Sequence, residues 1–128
     1  MYQLVVKISE AESRVMEVFW SAAGPLSADD VVAAMDNDRD WSAGTIRTFL
    51  TRLVKKKALA ATPDGRRYLY RPLVARDDYV HEQSRKLIDR LFGGRIAPFV
   101  TQFSERRDLS QDEIEELKRA IERLEHDR

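Results

Sequence analysis

Basic side chains are concentrated between residues 42 and 72 of the sequence. This stretch carries eight Lys and Arg residues against Asp64 alone, whereas the residues before and after it are net acidic and the whole chain has a formal net charge of +0. A local excess of positive charge between acidic flanks is typical of a surface that binds phosphate groups. The alternative is a solvated basic face that has no partner.

A helix predicted from Ser42 to about Lys57 places part of this charge on one face. Apolar residues recur at helical spacing on one of its faces, namely Ile46, Phe49, Leu50, Leu53 and Val54. The opposite face and its flanks carry Gly44, Arg47, Thr48, Thr51, Arg52 and Lys55. If the apolar face packs against the body of a domain, the second face is free to contact a partner.

The residue types on this second face suit the major groove of duplex DNA. Small residues near the helix start allow close approach, Thr methyl groups can contact thymine, and Arg pairs with guanine or with phosphate. For Thr45, Thr48 and Thr51 the alternative is an ordinary polar helix surface. For Arg52 the alternative is an ion pair with an acidic residue of the first helix.

A β-hairpin is predicted directly after this helix, because two short segments flank Pro63-Asp64-Gly65-Arg66 and Asp-Gly is a strong hairpin signal. Arg66 and Arg67 at its tip would meet phosphates or the minor groove beside the helix. Tyr68 and Tyr70 alternate with Leu69, and we expect one tyrosine to lie mostly in the core. The predicted DNA contacts are Ser42, Gly44, Thr45, Arg47, Thr48, Thr51, Arg52, Lys55, Lys56, Arg66 and Arg67.

Serine residues mark the starts of the predicted helices. Ser9 and Glu12 form a capping box, Ser27 caps a short second helix, and the third helix has a serine cap as well. Trp41, just before the third cap, is expected to pack back on the helix as a hydrophobic staple. Helices followed by a basic hairpin predict a winged helix-turn-helix over residues 1–73. The fold class is mainly α with a small β-hairpin wing.

The remainder, residues 74–128, is predicted to be a helical dimerisation region. It contains a helix over 75–92, a short apolar segment over 96–103, and a helix opened by the capping box of Ser110 and Glu113. These segments are too thin to enclose a core alone, so they need either the first domain or, more economically, a second copy of the chain. The residues predicted to form the homodimer are Leu87, Leu91, Phe99, Ile114, Leu117, Ile121 and Leu124.

Catalysis and metal binding have little support in the sequence. Cysteine is absent, which excludes Cys-ligated zinc and thiol nucleophiles. The two histidines, His81 and His126, are far apart in sequence, and the carboxylates of the last helix are typical of a solvated face. We expect no enzyme activity, no cofactor and no metal site. The opening MYQLVVK is too short an apolar run for a signal peptide or a spanning helix, so a cytoplasmic protein without membrane insertion is expected.

Motifs along nearly the whole chain carry a family resemblance. They are Ser9-Glu-Ala-Glu-Ser-Arg-Val-Met-Glu-Val-Phe-Trp20, Thr45-Ile-Arg-Thr-Phe-Leu, Asp64-Gly-Arg-Arg-Tyr-Leu-Tyr-Arg-Pro-Leu73, Leu91-Phe-Gly-Gly94 and Leu109-Ser-Gln-Asp-Glu-Ile-Glu-Glu-Leu117. In this order they resemble the penicillinase-repressor (BlaI/MecI/CopY) family. The resemblance implies a homodimeric winged-helix repressor that binds duplex DNA at a palindromic operator, with the C-terminal helices forming the dimer.

The resemblance also implies inactivation by proteolysis, through a membrane-bound sensor protease that triggers a cut in the dimerisation helices. The family's cut between asparagine and phenylalanine falls here on Gln102-Phe103, where glutamine replaces the asparagine. The copper-responsive branch of the family uses C-terminal cysteines, and their absence excludes copper sensing by that chemistry. A further departure is Ala58, where relatives commonly carry a glycine at the helix end.

A second class of function is compatible with the same residues. A winged-helix module can also serve as a protein-interaction domain whose basic face meets an acidic protein partner. The two functions differ in their response to salt and in their preference for one DNA sequence.

Overall fold

A computed structural model of the chain describes residues 6–36 and 41–128. These residues fall into two compact units, one that ends at Glu82 and one that spans Gln83–Arg128. In chain order the elements are α1 (Glu10–Trp20), β1 (Leu26–Ser27), α2 (Ala28–Ala34), α3 (Ala43–Lys55), β2 (Leu59–Asp64), β3 (Arg67–Pro72), α4 (Arg76–Phe92), α5 (Ile96–Glu105) and α6 (Gln111–His126). The fold is mainly α with a small sheet, which confirms the predicted fold class.

Serine side chains begin four of these helices, as the sequence predicts. The hydroxyls of Ser9, Ser27 and Ser42 each accept a hydrogen bond from a backbone N–H three residues on, at 3.1 Å, and Ser110 does the same at 3.2 Å. Each bond satisfies one of the N–H groups that a helix start leaves without a partner. These local bonds therefore set where the helices begin.

The sheet has three antiparallel strands in the order β1-β3-β2. The predicted hairpin of β2 and β3 is confirmed, and the strands reach closer to the turn than predicted, so that Asp64 pairs with Arg67. Gly65 takes a φ of 66° at the turn, a conformation that costs other residues free energy. The third strand, β1, was not predicted; it pairs Leu26 with Tyr70 across a long sequence separation.

The core of the first unit lies between its helices and the sheet. The buried side chains from α1, α2, α3 and β2 include Val15, Met16, Phe19, Val31, Ile46, Leu50, Leu53 and Leu59. The apolar stripe predicted for α3 therefore faces inward, and the residues on the opposite side of that helix face outward.

The end of α3 is a tight left-handed turn without glycine. Lys57 takes a φ of 67°, while the N–H of Lys57 bonds the carbonyl of Val54 at 3.0 Å and the N–H of Ala58 bonds that of Leu53 at 2.9 Å. This pattern is a Schellman motif, in which glycine is the preferred left-handed residue. Ala58 follows the left-handed residue and is fully buried.

The start of α4 belongs to the first unit. The indole N–H of Trp20 donates to the carbonyl of Val74 at 2.8 Å, and its ring lies 5.5 Å from the ring of Tyr79. Arg76 forms an ion pair with Glu17 of α1 at 3.0 Å. These contacts fix the first turns of α4 against α1, so the first unit extends past the end of β3.

The second unit buries few of its apolar side chains. All of Gln83–Arg128 is described, and within it Ile88 is the only buried residue; α5 and α6 bury none. The rings of Phe92, Phe99 and Phe103 form a chain of edge contacts, with centroid distances of 5.5 and 5.2 Å. The unit thus has an aromatic cluster but leaves much of its apolar surface uncovered.

Candidate nucleic-acid interface

The outward face of α3 is a continuous exposed strip. Every predicted DNA contact on this helix and on the hairpin tip is exposed. On the strip itself, Gly44, Arg47, Thr48, Thr51 and Lys55 occupy positions i, i+3, i+4, i+7 and i+11, which places them on one side of a helix. The strip lies opposite the buried Ile46, Leu50 and Leu53.

Two local contacts stabilise the start of α3. The hydroxyls of Ser42 and Thr45 lie 3.0 Å apart, and the ring of Trp41 meets the ring of Phe49 edge-on at 5.0 Å. The predicted packing of Trp41 back on the helix is therefore confirmed. A Cβ added at Gly44 would come no closer than 3.7 Å to the Ser42 hydroxyl, so nothing among the described residues requires glycine there. Because glycine has no side chain, a partner can approach the helix backbone closely at this position.

Two threonines of the strip use their hydroxyl protons inside the helix. Thr48 donates to the carbonyl of Gly44 at 3.0 Å, and Thr51 donates to that of Arg47 at 3.1 Å. At both positions the groups that remain for a partner are the methyl group and the oxygen lone pairs. A methyl group is the part of a threonine that contacts thymine.

The cations of the interface differ in whether they already form a salt bridge within the protein. Within the described ranges 6–36 and 41–128, Arg52, Lys55 and Arg66 form no salt bridge, so their charges are available to a partner. On the hairpin, Arg67 pairs with Asp64 at 3.1 Å. On α3, the guanidinium of Arg47 donates to Asp29 of α2 at 2.5 Å.

Lys56 differs from the other predicted phosphate contacts because its ammonium already has two partners within the protein. Its Nζ donates to a carboxylate oxygen of Glu12 at 2.6 Å and to the carbonyl of Lys7 at 3.0 Å. Glu12 is only 2% exposed. The residue that pairs with an acid of α1 is thus Lys56, at the C-cap of α3. This is the role that the sequence left open for Arg52. Glu12 shares the buried face of α1 with Val15, Met16 and Phe19, and this helical spacing is the signal that could have pointed to a buried acid in need of a cation.

This ion pair changes the titration of Glu12. Burial acts to raise the pKa of the carboxyl, but the hydrogen bonds from Lys56 and from the backbone of Ser9 outweigh burial and hold the pKa below its ordinary value. Glu12 is therefore ionised at neutral pH, and its charge keeps Lys56 in place.

The hairpin exposes one tyrosine and packs the other, partly buried, against the core. Tyr70 packs against the core, whereas Tyr68 is exposed. This arrangement confirms the expectation of a single core tyrosine. Arg66 lies in the turn and Arg67 is the first residue of β3, so the tip of the hairpin carries two cations.

The predicted dimer residues divide into two groups in the second unit. Leu91, Ile121 and Leu124 are exposed by 56%, 55% and 66% of their surface, and Leu87 is exposed as well. Phe99, Ile114 and Leu117 are half-buried. Phe99 and Leu117 also line an open cleft of about 420 Å³ between α5 and α6, together with Phe103. Gln102 and Phe103, the predicted cleavage pair, are both exposed and lie within α5.

Within residues 6–36 and 41–128, no group of three or more His, Cys, Asp or Glu residues is placed to hold a metal ion. Among those same residues, no helix has the length and apolar character needed to cross a membrane.

Three helices and a small sheet whose hairpin has a basic tip define the class of winged-helix domains. The solution structure of the DNA-binding domain of the repressor BlaI is 35% identical, with a TM-score of 0.54 over 61% of this chain and 94% of that one. The solution structure of monomeric Bacillus licheniformis BlaI in complex with the blaP half-operator is 37% identical, with a TM-score of 0.50 over 57% and 88%. The winged-helix class is thereby confirmed.

The family follows from the sequences. The model of the penicillinase repressor family matches residues 8–123. The methicillin resistance regulatory protein MecI of Mammaliicoccus sciuri is 37% identical over 115 residues, which cover 90% of this chain and 93% of the relative. The penicillinase repressor of Bacillus licheniformis is 34% identical over 118 residues, or 92% and 91% of the two chains. The chain belongs to the penicillinase repressor family, as its motifs indicated.

Proposed function

We propose that this protein is a transcriptional repressor that acts in the cytoplasm by binding duplex DNA. The observation that carries the proposal is the exposed strip of α3, which combines glycine, threonine methyl groups, Arg47 and Lys55 on the side opposite the core. A strip of this kind fits the major groove. The BlaI relative that is 37% identical was solved in complex with the blaP half-operator, which supports DNA as the partner.

The contacts divide by chemistry. Lys55, Arg66 and Arg67 are long cations at the end of α3 and at the hairpin tip, and we assign them to phosphates. Arg47 and Thr48 lie in the middle of the strip, and we assign them to base edges. Lys56 is held by Glu12, so we give it a structural role instead.

The operator of a dimer has two-fold symmetry. We assign DNA binding to residues 1–73 and dimerisation to residues 74–128, of which the first turns of α4 also pack against α1. The exposed leucine and isoleucine side chains of the second unit would be covered by a second copy of the chain. Two copies of α3 must then enter successive major grooves, about 34–36 Å apart, which requires a palindromic operator.

Induction by proteolysis is the part of the proposal that concerns Gln102-Phe103. Both residues are exposed, but they lie within α5, and the ring of Phe103 lies 5.2 Å from the ring of Phe99. A protease that needs an extended peptide must therefore unfold α5 locally. If a membrane-bound sensor protease triggers this cut, the repressor recovered from derepressed cells has the mass of fragment 1–102. Recovery of the intact chain from such cells would contradict cleavage.

The experiment that tests DNA recognition is selection from a random duplex pool by the purified protein, followed by a salt titration on the selected duplex and on a shuffled one. We expect a two-fold sequence to be enriched and its affinity to fall steeply as salt rises, by a slope of about 0.9 per phosphate contact. If no sequence is enriched, the basic face is better explained as a site for an acidic protein.

A further inference from the structure

Arg47 is attached to the neighbouring helix by a single hydrogen bond. Its Nη2 lies 2.5 Å from a carboxylate oxygen of Asp29, in the first turn of α2. Both side chains are exposed, by 53% for Arg47 and by 87% for Asp29. The contact uses one nitrogen of the guanidinium, so the Nε and Nη1 protons remain available to acceptors in front of the strip.

Asp29 can form this contact because its neighbour Asp30 is the residue that takes part in capping the start of α2. Asp30 accepts from the backbone N–H of Ser27 at 3.0 Å and completes the capping box of α2. Asp29 has no part in that box. Its carboxylate instead faces the guanidinium of Arg47, eighteen residues further along the chain.

We propose that Asp29 is a specificity-determining residue that acts through Arg47. This inference rests on the proposed function of α3 as the helix that reads DNA. A free arginine beside a duplex can bind any phosphate, because phosphates outnumber matching base edges and carry full negative charge. An arginine held by a carboxylate has fewer accessible rotamers and presents its remaining donors in one direction, which favours a base edge with matching acceptors.

The charge of Asp29 adds a second effect. The carboxylate lies beside the cation and repels phosphates that approach from the side of α2. Binding to duplexes of arbitrary sequence is thereby weakened. A duplex with a correctly placed guanine loses less affinity than other duplexes, because the guanine accepts hydrogen bonds from the oriented donors of Arg47. Asp29 therefore lowers affinity for all DNA while raising the preference for the operator.

The test uses Asp29→Asn in the full chain, with the duplex selected by the wild-type protein and a shuffled duplex of equal length. We expect affinity for the shuffled duplex to rise about two- to fivefold, the range expected for one exposed ion pair. The salt slope on that duplex is expected to steepen by about 0.9, the effect of one additional phosphate contact. The preference for the selected duplex is expected to fall by a similar factor of about two to five.

Asp64→Asn is the matched control. It also removes one carboxylate that pairs with an arginine of the basic surface, Arg67, but that arginine is assigned to phosphate. We expect this variant to bind both duplexes more tightly and to keep the wild-type preference. In an Arg47→Ala background, Asp29→Asn is expected to leave the preference unchanged, because the residue through which it acts is gone.

The results of these experiments distinguish failure of the proposed function from failure of the role assigned to Asp29. A wild-type protein that prefers no duplex overturns the proposed function and this inference with it. A wild-type protein with a clear preference that Asp29→Asn leaves intact overturns the inference alone. Equal loss of preference in Asp29→Asn and Asp64→Asn would also overturn it, because the effect would then be one of net charge.

Discussion

The ammonium of Lys56 lies 2.6 Å from the carboxylate of Glu12, and this ion pair joins the end of α3 to the start of α1. Glu12 also accepts from the backbone N–H of Ser9 at 2.9 Å, so one carboxylate serves both the cap of α1 and the anchoring of α3. The helix that presents the exposed strip proposed to contact DNA is thus tied to the body of the domain at its C-terminal end.

Replacing Lys56 should affect stability rather than DNA binding. The Lys56 side chain is 37% exposed and that of Glu12 is 3% exposed. The burial of this ion pair is therefore intermediate between that of a surface salt bridge and that of a buried one. We expect Lys56→Met to lower the free energy of unfolding by about 1–3 kcal/mol. Urea unfolding at one fixed protein concentration measures this, because dimerisation changes apparent stability with concentration.

Lys55→Met is the control for this prediction. The neighbouring lysine is exposed and has no salt bridge within the described residues, so its removal should leave stability nearly unchanged and reduce the salt slope of DNA binding by about 0.9. If Lys56→Met instead reduces the slope and spares stability, Lys56 is a phosphate contact after all.

Acid should weaken the fold in part through Glu12. Folding lowers the pKa of this carboxyl below its ordinary value of 4.5, so its contribution to stability is present above pH 4.5 and is lost as pH falls through the lower value of the folded state. The urea midpoint of the wild type should therefore fall more steeply below about pH 5 than that of Glu12→Gln, which cannot titrate. Parallel pH profiles for the two proteins would show that Glu12 is not stabilised in its charged form.

Lys57→Gly should stabilise the protein, although it removes a side chain. Lys57 has a φ of 67°, which costs a residue with a Cβ free energy that glycine does not lose. After allowing for the greater entropy of glycine in the unfolded chain, we expect a gain of about 0.5–1 kcal/mol. Lys55→Gly, two residues earlier in helical conformation, should destabilise by about 1 kcal/mol. A loss of stability in both variants would exclude strain at Lys57.

Ile121→Glu should separate the dimer without unfolding the chain. This side chain is 55% exposed, so a charge at the position costs little within one copy but is buried without a partner if a second copy covers it. Sedimentation equilibrium should find a dimer for the wild type and a monomer of unchanged helix content for the variant. Lys118→Glu, on the exposed polar side of the same helix, should remain dimeric. A wild-type protein that sediments as a monomer would overturn the proposed dimer.

The parts of the fold that the sequence predicts well are those set by local chemistry. Ser9, Ser27 and Ser110 mark helix starts through bonds that span three residues, and Asp64-Gly65 marks the turn of the hairpin. The predicted strip of α3 is confirmed as exposed because its position follows from the period of the buried residues on the same helix.

The features that were not predicted depend on residues far apart in the chain. The strand β1 is two residues long and exists only through its pairing with Leu69 and Tyr70. The partner of Arg47 lies on another helix, and so does the partner of Lys56. Charge alone gave Lys56 the same assignment as Lys55, because the sequence does not show which of two adjacent lysines points toward the buried glutamate.

In the proposed function, two copies of this chain bind one two-fold operator. This is measured most directly by titrating the full chain on the selected palindromic duplex and on a duplex that contains only one half-site, at the same salt concentration. Docking of the second copy is intramolecular in the dimer, so we expect the palindrome to be bound about 10²–10⁴-fold more tightly. We also expect Ile121→Glu to lose this difference. Equal affinity of the wild type for the two duplexes would contradict binding as a dimer.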